Sequence, residues 1–447
     1  MSELRSGEDK FYPLDNSAVF MAAIAGASGP FVFRLSCDID ETVRLAELEA
    51  SLVALAPRFP FLFATLRAGV FWHYLDPVEA SPHVEAEARN PARPMRRDGR
   101  PLVRVTAYGR RIACEFHHAV TDGTGAFALM RSLIVEYFLR RGLAADTPNE
   151  LFAGIPRPGE SVDREEEEDA YARVFKPTAT VPDRGAKAFL LGGKRLVAGY
   201  RETIGTLSLS GALALAKEKK ASLTELLVAV HLSVLQDIHD ALPPRRRRSA
   251  RKVIALQIPV NLRKIYPSRT LRNFFLFAAA SIDLRLGYWE MDEILRRVHH
   301  QLRLGMEEKE LLRQLKRNVG GERNPLGRPV FLPIKTLVLR AINASIGVGT
   351  YSGSLSNMGA IELPPPIAEH VLRFSLLPSR ARSTGANICL LSWKDKLYIT
   401  VGSVVRDREF ERRYFSRLVE LGLEVAVESS ESWPHRVAAP AHKGRAK

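Results

Sequence analysis

Residues 112–123, Ile-Ala-Cys-Glu-Phe-His-His-Ala-Val-Thr-Asp-Gly, constrain this chain more than any other stretch. The apolar run Ile112 to Phe116 is brief and bounded by Gly109-Arg110-Arg111 and Asp122-Gly123, which predicts a strand. Thr121-Asp122-Gly123-Thr124-Gly125 has turn chemistry. After it, Ala126, Met130, Leu133, Ile134, Tyr137 and Phe138 recur on one helical face, predicting a helix to Arg141. His117 and His118 therefore fall in a strand-to-helix loop, where an imidazole that titrates near neutral pH is within reach of a substrate. Alternation places Cys114, Phe116 and His118 on one side of the strand, and Glu115 and His117 on the other. Four strand residues separate Cys114 from His118 by roughly 13 Å, too far for a thiol-imidazole nucleophile pair. A base in this position must act on a nucleophile brought by the substrate.

His-His-Ala-Val-Thr-Asp-Gly resembles the HHxxxDG motif of the acyltransferase superfamily that includes chloramphenicol acetyltransferase, nonribosomal-peptide condensation domains, wax ester synthases and alcohol acetyltransferases. The resemblance implies that His118 is the general base, that Asp122 pairs with a distant arginine to hold the loop, and that Gly123 supplies a tight turn. His117 would be structural support. Further blocks extend the likeness over nearly the whole chain: Leu14-Asp15-Asn16, Arg58-Phe59-Pro60, Pro259-Val-Asn-Leu-Arg263 with Leu271-Arg272-Asn273, and Ser356-Asn-Met-Gly359. By that likeness Arg263 is the partner of Asp122, because a guanidinium offers a carboxylate a planar, two-pronged donor. Arg272 stands where the family often has glycine. Asn273, Ser356 and Asn357 become candidate substrate or oxyanion contacts, although Ser, Asn and Gly are also ordinary turn residues. The likeness is greatest to bacterial alcohol acetyltransferase-like proteins.

The chain has 447 residues, more than one hydrophobic core usually spans. Residues 144–186 lose periodicity and carry Pro148, Pro156, Pro158, the run Glu165 to Glu168, Pro177 and Pro182, so they read as a linker. The acidic run suggests no ligand. Two domains, 1–186 and 187–447, are expected, with a disordered basic tail after Pro434. The resemblance implies an α/β fold of two chloramphenicol-acetyltransferase-like lobes. Each would be a mixed sheet flanked by helices, with a substrate tunnel between them. In the second stretch, strands are predicted at 203–209, 253–260, 386–392 and 396–402. Helices are predicted at 212–219 with Ser210 as cap, at 223–239 with His231 as a packed or surface histidine, and at 291–304.

Cys37, Cys114 and Cys389 are odd in number and widely separated, giving neither a metal spacing nor a disulfide framework, and the histidines form no HExxH. The first ten residues lack a positive start followed by an apolar stretch, so no signal peptide is expected. The apolar stretch 329–348 is interrupted by Lys335, Arg340 and Asn343, which predicts a buried or surface-lying helix and not a membrane span. The cytoplasm is the expected location. The net charge of +15 would attract polyanions and leaves peripheral membrane contact open. Its densest cluster, Arg245 to Arg248, lacks interleaved aromatics and reads as a solvated loop, not a nucleic-acid site. The resemblance implies an acyl-CoA or other acyl-thioester donor as co-substrate, a hydroxyl acceptor, no permanently bound cofactor or metal, and a monomer. A carrier-protein-bound donor, an amine acceptor and a catalytically silent binding module are the alternatives.

Overall fold

The computed structural model describes residues 11–430, apart from 27–28, 79–80, 89, 96–97, 144–146, 177–179, 181–185, 197–198, 324–328, 345–348 and 381–384. Parts of the expected linker and all of the expected tail lie outside the described residues. The first stretch runs β1 (Tyr12–Pro13), α1 (Asn16–Ile24), β2 (Val32–Ile39), α2 (Leu45–Leu55), β3 (Ala64–Ala68), β4 (His73–Pro77), β5 (Val84–Ala86), β6 (Val103–Tyr108), β7 (Arg111–His117), α3 (Gly123–Arg140) and α4 (Ala170–Val174). The second runs β8 (Arg201–Ser208), α5 (Leu209–Glu218), α6 (Leu223–Asp240), α7 (Pro244–Ser249), β9 (Val253–Asn261), β10 (Phe275–Asp283), α8 (Met291–Gly305), α9 (Glu308–Arg323) and α10 (Leu332–Ile342). It closes with β11 (Gly353–Ala360), α11 (Pro365–Ala368), β12 (Val371–Leu377), β13 (Ala386–Trp393), β14 (Lys396–Ser403), α12 (Glu409–Glu420) and β15 (Ala426–Ser429).

Three sheets form: β12-β2-β7-β6-β5, β10-β9-β11-β13-β14-β8-β15, and the small β1-β4-β3. β7 is the middle strand of the first. It is covered on both faces, so its apolar residues run on without strict alternation. Glu115 within it is buried but paired, 2.8 Å from Arg104 Nη1, and it accepts a hydrogen bond from Ala92 N at 2.7 Å. α3 lays Ala126, Met130, Leu133, Ile134, Tyr137 and Phe138 into the first core, all buried as the helical period requires. Burying each of the larger side chains stabilises the fold by about 1.5–3 kcal/mol. The edge strand β12 joins from the far end of the chain, Val371 pairing with Ile39 and Phe374 with Cys37. The first sheet thus draws on both 1–186 and 187–447.

The second core packs α6, α8 and α12 on the large sheet through Leu227, Val230, Leu256, Leu295, Ile399 and Tyr414. α6 opens on a reciprocal cap between Ser222 and Glu225. His231 is fully buried in it, beside Phe410 at 4.9 Å between ring centroids. Three local expectations differ. Ser208, not Ser210, caps α5, because Asp395 holds Ser210 by its amide and hydroxyl. Arg245 to Arg248 form the exposed helix α7, for which Pro244 at the first helical position is pre-organised. α3 begins at Gly123, not Ala126, because the Asp122 carboxylate accepts from Thr124 N and caps the helix there. No single described helix is long and apolar enough to cross a membrane.

Candidate active site

β7 ends at His117, and the chain turns before α3. His118 N donates to Phe31 O at 2.8 Å, anchoring the loop to the entry of β2. Phe31 is held there in the left-handed region, with φ of 53°. Such a conformation persists only where the surroundings over-determine it. The two histidines diverge. His117 is buried, and its Nδ1 accepts from Ala119 N at 3.0 Å, so its ring braces the loop. His118 is half-buried and lines a cavity of about 2990 Å³. Its ring lies 4.5 Å from Phe33 of β2 and 6.0 Å from Phe275 of β10, between the two lobes. Nδ1 is buried with no partner at hydrogen-bonding distance, which leaves the Nε2 edge open to the cavity.

Asp122 faces away from the imidazole's chemistry. Its Oδ1 accepts from Thr124 N at 2.9 Å, and its Oδ2 accepts from Arg263 Nη1 at 2.8 Å and Phe274 N at 2.9 Å. Arg263 leaves the end of β9 and also donates from Nε to Thr270 O at 2.8 Å. A delocalised cation with fixed donors thereby ties the 270–274 loop to the histidine loop. Main-chain contacts add to this tie. Thr121 Oγ1 donates to Leu271 O at 2.6 Å, Leu271 N to Glu166 O at 2.9 Å, and Asn273 Nδ2 to His118 O at 2.8 Å. Asn273 is fully buried despite its Arg272 neighbour. The Arg272 guanidinium takes its own route, donating to Pro13 O and Glu167 O.

Gly123 does not act as the tight turn. It is the first residue of α3 without a left-handed φ, and a Cβ there would lie 1.9 Å from Met358 Cε, so its role is to admit that side chain from β11. Gly125, which sequence reasoning passed over, is tighter. A Cβ would come within 2.2 Å of the Leu271 carbonyl oxygen, so the lobes meet backbone to backbone.

Ser356 lines the cavity, its hydroxyl 3.6 Å from Met358 Sδ. Asn357 lines the cavity too, with its amide engaged: Nδ2 donates to Thr224 Oγ1 and Oδ1 accepts from Gly359 N, where β11 breaks register and Gly359 takes φ of 76°. Its side chain shapes the turn. Two further groups join the site. Asp15 is fully buried, caps α1 and accepts from Asn273 Nδ2 at 3.0 Å; burial pushes its pKa up to about 6, against the pull of Arg272. An Asp three residues before Ala18 is a legible cap, but its link to Asn273 leaves no trace in sequence. Glu166, from the run read as having no ligand, is buried and holds Arg58 through two bonds of 2.7 and 2.9 Å.

Burial also lowers the His118 pKa below the ordinary imidazole value, while the Asp122 charge, the Asn273 amide and the Thr121 carbonyl pull it back. The ring is therefore neutral around pH 7. Cys389 lines the cavity as well, but burial pushes its thiol up to about 12, so it supplies no thiolate there.

No family model and no curated protein matches the sequence. Solved structures do. A Fusarium graminearum protein crystallised with coenzyme A and deoxynivalenol aligns with a TM-score of 0.61 at 10% identity, covering 93% of this chain and 99% of that one. The trichothecene 15-O-acetyltransferase of Fusarium sporotrichioides aligns at 0.57 and 13%, covering 92% and 94%. The chain shares the fold of these structures over nearly its whole length. The first condensation domain of the calcium-dependent antibiotic synthetase shares this fold at 0.56 and 15%, covering 93% and 97%. At such identities the likeness carries the fold, and the chemistry must be argued from the side chains described above.

Proposed function

We propose that the protein is a thioester-dependent acyltransferase in which His118 is the general base, acyl-CoA the donor and a hydroxyl compound the acceptor. One observation carries the reading: a neutral imidazole with Nδ1 buried and its other edge open to a large cavity between the lobes. Placing the ring's proton on the buried Nδ1 leaves Nε2 unprotonated toward the cavity. Nε2 is then the lone pair that takes the acceptor's proton. The acceptor oxygen adds to the thioester carbonyl, and the tetrahedral intermediate collapses with cleavage of the C–S bond. The imidazolium returns its proton to the departing thiolate. Ser356 is a candidate hydroxyl in the wall for the oxyanion. No enzyme nucleophile is required. Coenzyme A in a neighbour of the same fold supports a free thioester donor.

Thiol release from an acyl-CoA series with a panel of alcohols tests this. His118→Ala should lower turnover by about 10²–10⁴-fold, the usual share of a general base. Because protonation disables the base and its pKa lies below the ordinary value of about 6.5, kcat/KM should fall on acidification with a midpoint under that value. Full activity in His118→Ala would sink the assignment, and no thiol release from the wild type would leave a silent binding module. The condensation-domain neighbour favours one second reading, in which the donor rides on a carrier protein or the acceptor is an amine. Turnover with acylated carrier protein and none with free acyl-CoA would select it.

A further inference from the structure

α10 is apolar on two sides. Its inner side, with Leu332, Leu339 and Ile342, lines the cavity alongside Phe20, Met21 and Ile24 of α1. Away from the cavity Ile334 is 54% and Leu337 70% exposed; Val338, which also lines the cavity, is 51% exposed, and Phe331 at the N-terminus 52%. The tip between β3 and β4 extends the same patch, with Val70 61% and Phe71 42% exposed. The two pieces are joined: Leu332 N donates to Val70 O at 3.0 Å, and Lys335 Nζ donates to Phe71 O while lying 3.3 Å from the centre of the Trp72 ring. A continuous apolar face of this kind on a water-exposed helix marks a binding surface.

Charge identifies the occupant. α10 itself carries Lys335 and Arg340 and no acidic residue, on a chain of net charge +15. An apolar helical face with cations on the same helix fits the interface of an anionic bilayer, with the apolar side chains in the acyl boundary and the cations at the headgroups. Lys335 and Val338 line the cavity too, and Val338 is half-exposed, so whatever docks here lies at the cavity's rim. A protein seated there would cap that rim, whereas a bilayer would feed it.

We propose that α10 and the β3–β4 tip dock the protein on an anionic lipid surface, and that the acceptor reaching His118 is a hydroxyl-bearing amphiphile drawn from that surface. The substrate half of this statement rests on the acyltransferase reading; the docking half does not. Flotation of the full chain with phosphatidylglycerol-containing vesicles at low salt tests docking. The wild type should float, with pure phosphatidylcholine retaining at least about tenfold less, and the bound fraction should fall as salt rises. Ile334→Glu with Leu337→Glu should cut it at least about tenfold while sparing turnover on a short, water-soluble alcohol and losing turnover on a long-chain alcohol embedded in vesicles. No flotation of the wild type at low salt would overturn docking, as would flotation unchanged in the double variant, or a wild-type dimer that the double variant dissolves. Flotation without thiol release in the wild type would remove the acyltransferase reading and leave the docking surface; thiol release without flotation would do the reverse.

Discussion

Replacing Asp122 by Asn distinguishes an anchor from a proton relay. The carboxylate receives donors on both oxygens, Thr124 N on one and Arg263 Nη1 with Phe274 N on the other. In either orientation the asparagine amide turns an N–H toward a donor. The Arg263 charge, in a side chain only 9% exposed, loses its counter-ion. Breaking a buried pair from one side costs about 3–5 kcal/mol. The low end applies here, because Arg263 keeps the Thr270 and Arg272 carbonyls and lies 6.0 Å from the centre of the Phe274 ring. Unfolding entropy is about 2.1 cal/mol/K per residue, so a cooperative transition of 447 residues moves by about 1 °C per kcal/mol. Scanning fluorimetry should find Tm lowered by about 3 °C. Arg263→Met should cost a similar amount. The double variant should cost less than the two singles together by about 1–3 kcal/mol, since each single strands the other group. Turnover well below the transition should persist, with the acid limb of its pH profile moved to lower pH because the Asp122 charge no longer raises the His118 pKa. An unchanged Tm with lost turnover, an acid limb moved to higher pH, or additive single costs would refute the anchoring role.

Two other predictions test packing. Gly125→Ala should destabilise by about 3 kcal/mol or more in urea titrations, since its Cβ meets the Leu271 backbone, whereas Gly123→Ala should stay within about 1 kcal/mol because the end of Met358 can swing aside. His231 is fully buried with both ring nitrogens lacking partners, and burial brings its pKa down to about 3. The unfolded chain binds that proton below about pH 6.5 and the folded chain does not, so stability falls between about 6.5 and 3, by about 2 kcal/mol at pH 5. His231→Leu should remove that share of the acid sensitivity, and an identical stability-versus-pH curve would refute it.

Local periodicity made the first lobe's histidine corner legible. A short apolar strand, a turn and a helix with a 3.6 period are set by neighbours in sequence, so β7, the loop and α3 lie where the pattern predicts them. Sheet membership is not local. Nothing in Val371–Leu377 states that its partner is Val32–Ile39, because an apolar strand fits any edge of matching register. Glu166 was illegible for a related reason. Within an acidic run it looks like a solvated charge, and only the approach of Arg58 from another element makes burial tolerable. Arg263 could be singled out only through a family resemblance; its side chain reaches Asp122 across 141 residues of sequence.

The site is held together largely by groups that every residue supplies. Leu271 gives its carbonyl to Thr121 and its amide to Glu166 O, Phe274 gives its amide to Asp122, and His118 gives its carbonyl to Asn273. Such contacts constrain the path of the backbone and leave most side chains free to change. A few positions have no such freedom: Asp122 and Arg263 as a charged pair, Asn273 as the buried amide between His118 and Asp15, and Gly125 as the point where two backbones touch. Chains that agree at 10–15% of positions can therefore reach the same fold. The remaining side chains of the cavity wall are then available to set which molecules enter.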